Sequence, residues 1–140
     1  VTIVAAALLI SAVAGCSRDR YVADVPAELI HAMEDYIGYV DGLADALEGI
    51  SDADSAKAVL DDIEEAVSGM AISKAILADA SVRRQVRLEL RYETQIGAAR
   101  VRVSREAVRL MSKKPTALVL RKALARVPVL LRSAVSAGGR

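Results

Sequence analysis

From Leu29 onward, apolar residues recur at alternating intervals of four and three: Leu29, Met33, Tyr36, Val40, Leu43, Leu47 and Ile50. A strand cannot use that spacing, because its side chains alternate with period two. A helix brings such positions onto one line. The seam therefore demands a long helix with one face buried. Ile30, Ile37 and Ala44 form a second row beside it, so this helix has two neighbours to touch rather than one. Glu34, Asp35, Asp41, Asp45 and Glu48 fall away from the seam and are expected on the outer face. Pro26 suits the first turn, where its missing N–H costs nothing, and Glu28 suits the positive helix end.

The same spacing returns in Ala56, Leu60, Ile63, Val67 and Met70. Gly49 offers a stop before it, and Ser51-Asp52-Ala53-Asp54-Ser55 a new N-cap. Lys74 interrupts the seam, which resumes at Ile76 and Leu77. So short a connection makes the first two helices antiparallel.

Between Ser81 and Lys113 two periods compete. Val86, Leu88, Leu90 and Tyr92 alternate with charged residues, as do Val101 and Val103, which would fit a strand hairpin turning at Gly97. Leu88, Tyr92, Ile96, Ala99, Val103, Ala107 and Leu110 instead trace one helical stripe across the whole segment. Helix is preferred, because the intervening Arg and Glu are good helix formers and no Asn-Gly or Pro turn is present. Pro115 and Thr116 then begin a shorter helix with Leu118, Leu120, Leu124 and Val127, ended or bent by Pro128. The expected fold class is all-α: an antiparallel three-helix bundle with an appended short C-terminal helix. With 54% hydrophobic residues but only four Tyr, no Phe and no Trp, the core must be aliphatic, which suits helices better than sandwiches or barrels.

The net charge of +1 conceals two opposed halves. From Cys16 to Ala80, 4 Lys/Arg stand against 15 Asp/Glu, a net of −11; from Ser81 to Arg140, 15 stand against 3, a net of +12. Two readings follow. The basic helix pairs with the acidic ones inside the fold, or it meets anionic lipid or another polyanion through Arg83, Arg84, Arg87, Arg91, Arg100, Arg102, Arg105 and Arg109. The scarcity of aromatic rings for base stacking argues against nucleic acid.

No pattern carries catalytic chemistry. The one histidine, His31, lies two positions from Met33, so the two point different ways around a helix and cannot jointly ligate a haem. Asp61, Asp62, Glu64 and Glu65 lack the histidines of a di-iron helix pair. The glycines at 38, 42, 49, 69 and 97 are isolated, which excludes a phosphate loop, and no serine sits in a nucleophile elbow. A non-enzymatic protein without metal or cofactor is expected.

Residues 1–15, VTIVAAALLISAVAG, carry no charge and would span about 22 Å as a helix, short of the roughly 30 Å of a hydrocarbon core. They suit the apolar part of a signal peptide. The stretch ends in Val13-Ala14-Gly15-Cys16, and Ser17-Arg18-Asp19-Arg20 follow at once. This resembles the lipobox of bacterial lipoproteins: an aliphatic residue, two small residues, then cysteine. The resemblance implies diacylglyceryl on the Cys16 thiol, cleavage after Gly15, and anchoring in a cell-envelope membrane, the outer one in a diderm because Ser17 rather than Asp follows. Leaders of that family open with Lys or Arg, which these fifteen residues lack; a valine start codon or a truncated reading frame would account for it. The runs LADALEGI (43–50) and SDADSAKA (51–58), extended through Tyr92, Ala99, Arg102 and Glu106 to Pro115, also resemble small helical envelope lipoproteins of unknown function. The expected organisation is a signal peptide (1–15), a lipidated N-terminus and tether (16–25), the bundle (26–135) and a tail (136–140), with the membrane and an envelope protein as partners.

Overall fold

A computed structural model describes residues 24–133, and the lipobox residues Val13, Ala14, Gly15 and Cys16 lie outside them. The described residues are all helical, without a strand: α1 (Ala27–Glu48), α2 (Ala53–Ala58), α3 (Leu60–Ala78), α4 (Val82–Arg91), α5 (Glu93–Met111), α6 (Lys114–Leu120) and α7 (Val127–Leu130). The helical reading of 82–113 holds and the strand alternative at Gly97 falls.

The first seam is buried along its whole length, from Leu29 to Ile50, with Leu43, Ala44 and Leu47 fully closed off. α1 is the element on which the others assemble: its principal neighbours are α3 and α5, with little contact between those two. Tyr39 of α1 lays its ring against Gly69 of α3. Cross-helix bonds from Glu34 to Tyr92 and from Glu48 to Arg102 ascend together in both segments, so α5 runs parallel to α1. α6 packs over α2 and α5, and α7 lies against α3.

Two long helices foreseen as continuous are each interrupted. The backbone leaves helical values at Val59 (φ −108°, ψ 9°) and at Tyr92 (φ −106°, ψ 12°). Neither residue is Gly or Pro, so composition gave no sign of a break. Hydrogen bonding continues past both, from Ile63 N–H to the Val59 carbonyl and from Ile96 N–H to that of Tyr92. At the second break the Tyr92 hydroxyl donates to Glu34 at 2.9 Å, tying the bend to α1. The start of α2 follows expectation: Asp52 accepts from the Ser55 N–H at 2.8 Å while the Ser55 hydroxyl accepts from the Asp52 N–H, a reciprocal cap.

Glycines divide into two kinds. At Gly38 and Gly42 an added Cβ would meet nothing within 4 Å, so these residues only weaken α1. Replacing each by alanine is expected to raise unfolding free energy by about 0.5–1 kcal/mol, read as a higher urea midpoint. Gly69 is different, because the Tyr39 ring lies where its Cβ would be. Here the missing side chain lets the ring settle on α3.

No described residue, glycine included, has positive φ. Gly49 ends α1 at φ −73°, ψ −10°, a right-handed conformation rather than the left-handed stop that glycine commonly supplies. Beside local bonds from Ile50 N–H to Leu47 and from Ala80 N–H to Leu77, long side chains reach the terminal carbonyls. Arg109 donates to the carbonyls of Leu47 and Ile50 at 3.0 and 3.1 Å. Gln85 donates to those of Leu77, Ala78 and Ala80 at 3.0, 3.3 and 2.8 Å. Lys74, the residue that breaks the apolar seam, donates to Val129, Leu130 and Arg132 at 2.9, 3.1 and 2.6 Å. The buried Tyr36 hydroxyl adds a 2.7 Å bond to the Leu130 carbonyl.

Candidate functional site

The basic residues occupy α4 and α5, which their good helix propensity helps to form. Arg102 is the hub of their pairing with α1. Its Nη1 lies 3.1 Å from Asp41, its Nη2 2.5 Å from Asp45 and its Nε 3.1 Å from Glu48. The three carboxylates stand at i, i+4 and i+7, one line along α1, and one planar guanidinium reaches all of them. Arg105 approaches Glu48 at 3.7 Å and Glu106 at 3.3 Å. Arg109 binds Glu106 at 2.6 Å while its other nitrogens hold the end of α1. Arg87 closes on Asp24 at 2.8 Å, where the described chain begins.

The acidic face of α1 is exposed at Glu34, Asp35, Asp45 and Glu48 and half-buried at Asp41. At its edge Asp41, Asp45 and Glu48 meet α5 through Arg102, and Glu34 takes the Tyr92 hydroxyl. Asp61, Asp62, Glu64 and Glu65 of α3 stay exposed and have no ion pair among the described residues. The hairpin carboxylates that pair with α5 are those of α1, while α3 meets the basic segment through the Gln85 bonds to its terminal carbonyls. His31 is also exposed, with Nδ1 3.6 Å from Glu34. Among the described residues no group of three or more His, Cys, Asp or Glu is placed to hold a metal.

The remaining arginines have other surroundings. Arg100 lines a cavity of about 20 Å³ with Tyr36, Lys74, Gln85 and Glu89, and its buried Nε has no hydrogen-bond partner among the described residues. That volume matches one water molecule, which would satisfy the nitrogen. Arg91 is half-buried, whereas Arg83 and Arg84 are exposed at the first turn of α4. With Asp24, Ser81 and Arg87 they line an open depression. The structure thus separates the eight arginines. Arg87, Arg102, Arg105 and Arg109 hold acids or carbonyls of their own chain, and Arg83 and Arg84 face solvent.

Sequence reasoning missed Lys74, Gln85 and the individual role of Arg102. For Lys74 a signal existed, a cation in an otherwise apolar seam. For Gln85 none did. Comparison with protein-family models, with curated proteins and with solved structures gave no match.

Electrostatics follow the same contacts. The Arg87 hydrogen bond holds the Asp24 carboxyl below its ordinary 3.8, and bonds from Ser55 do the same for Asp52. Arg109, then Arg105, lower Glu106 below 4.5. Burial pushes the Tyr36 hydroxyl up and the Lys74 ammonium down. Because the three carboxyls have lower pKa values folded than unfolded, their stabilisation is complete above the ordinary carboxyl range. It is lost as pH falls through the lowered values. Thermal melts from pH 7 to pH 2 should show a declining midpoint below about pH 4.5, with Glu106→Gln flattening the decline.

Arg102→Met should lower the melting temperature through repulsion among the three carboxylates. The gap from the parent should narrow as salt rises from about 0.01 to 1 M, since the Debye length shrinks from about 30 to 3 Å. Arg102→Lys should recover only part of the loss, because an ammonium cannot span three acids.

Proposed function

We propose that this chain is a lipid-anchored protein of a bacterial cell envelope, non-enzymatic, whose helical body is a structural or protein-interaction module. The observation that carries this reading is Val13-Ala14-Gly15-Cys16 at the end of an uncharged apolar leader. Acylation of Cys16 would hold the body at a membrane surface, at about 0.8 kcal/mol per buried CH₂. Among the described residues no helix is long and apolar enough to cross a membrane, which is compatible with an anchor placed elsewhere. The finer architecture proposed for the body is an antiparallel three-helix bundle: α1, the α2–α3 pair and the bent α4–α5 segment, with α6 and α7 as the C-terminal appendage. In a diderm cell the outer membrane is the proposed address.

Intact-mass spectrometry of the protein from its native host tests the anchor. The expected result is loss of residues 1–15 and added acyl mass on Cys16. A full-length chain with a free thiol would overturn it.

A further inference from the structure

We propose that α4 is a second membrane contact, a short interfacial helix that lays an apolar stripe into an anionic bilayer surface. Helix geometry divides α4 into unlike faces. Gln85 and Leu88 point into the bundle and are buried. On the opposite side Val82, Val86 and Leu90 recur every fourth residue, and they are 60%, 37% and 53% exposed.

Arg83 borders this stripe, and exposed Arg84 and half-buried Arg87 continue the basic flank. Glu89 and Glu93 line one depression with Val86 and Leu90, where Glu89 takes the Ser133 hydroxyl at 2.6 Å, so carboxylates border the stripe on the side away from the arginines. An apolar line with guanidinium groups along one side matches the boundary between acyl chains and phosphate headgroups. Each arginine near an anionic surface is favourable, and the attraction decays within a Debye length.

The position of α4 makes the contact geometrically available, and here the inference rests on the proposed anchor. Asp24, held by Arg87, places the start of the described chain beside α4. Seven residues, eight steps of chain, lie between it and Cys16, a distance of no more than about 28 Å even when fully extended. A lipid at Cys16 therefore keeps the basic first turn of α4 close to the headgroups. A diacylglyceryl group brings two acyl chains and holds the protein by itself, so the α4 contact sets how the body lies on the surface rather than whether it stays there.

The experiment uses the full protein reconstituted on vesicles of phosphatidylcholine, with or without phosphatidylglycerol. Acylated Cys16 is blocked, so Val86→Cys gives one reactive thiol for a fluorescent or nitroxide label, with Asp62→Cys as the comparison on α3. On vesicles containing phosphatidylglycerol the label at 86 should become about tenfold less accessible to a water-soluble quencher, while that at 62 stays accessible. Replacing Arg83 and Arg84 together by Gln should reduce the shielded fraction about tenfold or more. An accessible label at 86 on both vesicle types would overturn the proposal. Shielding without vesicles would also overturn it, in favour of cover by residues 134–140 or by a second copy. Intact mass of the same sample reads the anchor separately. If Cys16 proves bare, a Cys16→Ser chain added to the vesicles still decides the α4 contact.

Discussion

Leu43→Ala is expected to remove about 3–4 kcal/mol of unfolding free energy. The side chain has no solvent exposure and sits midway along α1, the helix on which the others assemble. Truncation loses the transfer energy of the removed carbons and leaves a cavity that α3 and α5 cannot both move to fill. A domain of this kind has about 5–15 kcal/mol in reserve, so one substitution should take roughly a fifth or more of it. Urea titration reads the effect as a lower midpoint with an unchanged slope. Leu118→Ala makes the same chemical change at a position 64% exposed, and should fall within about 0.5 kcal/mol of the parent. Equal costs at the two sites would contradict the placement of the core.

Gln85→Leu should cost about 1–3 kcal/mol, although it exchanges a polar buried side chain for an apolar one of similar size. The reason lies in what the amide holds. Its nitrogen donates to three carbonyls at and after the end of α3, and leucine leaves each of those contacts without its donor. Gln85→Glu sharpens the test by keeping shape while reversing polarity. Near neutral pH a carboxylate would face carbonyl oxygens, and at about pH 4 a protonated acid could donate one bond. The Glu variant should therefore be the less stable of the two at pH 7 and should close the gap on acidification. Amide hydrogen exchange in the last turn of α3 should quicken in both.

The helices themselves could be read from the chain because two apolar seams obey helical spacing without interruption over many residues. Leu29 to Ile50 is buried throughout, and Ile63, Val67 and Met70 follow it. The alternation that imitated a strand around Val86 has a physical source. α4 carries apolar residues on two faces, Leu88 inward and Val86 with Leu90 outward, and the superposition mimics a period of two. What stayed hidden depends on tertiary placement. The breaks at Val59 and Tyr92 involve residues that ordinarily continue a helix. Charge counting showed that two halves of the chain could pair, but not that Arg102 would gather three α1 carboxylates while the acids of α3 remained in water. Of the basic positions, Arg83 and Arg84 could be distinguished from Arg87 and Arg109 only once the partners were located. The lipobox positions, Cys16 among them, lie outside the described residues.

The way helices end here has a consequence for how the molecule assembles. A left-handed glycine stops a helix locally, whereas Arg109, Gln85 and Lys74 act across 59 to 62, 5 to 8 and 55 to 58 positions of sequence, respectively. During synthesis, the carbonyls closing α1 must wait until about sixty further residues have been made. Until then the Leu47 carbonyl has only local backbone donors and the Ile50 carbonyl lacks its arginine, so the last turn of α1 is the more readily frayed. Arrival of Arg109 therefore closes the end of α1, and α3 waits longer still, until residues 129–132 meet Lys74.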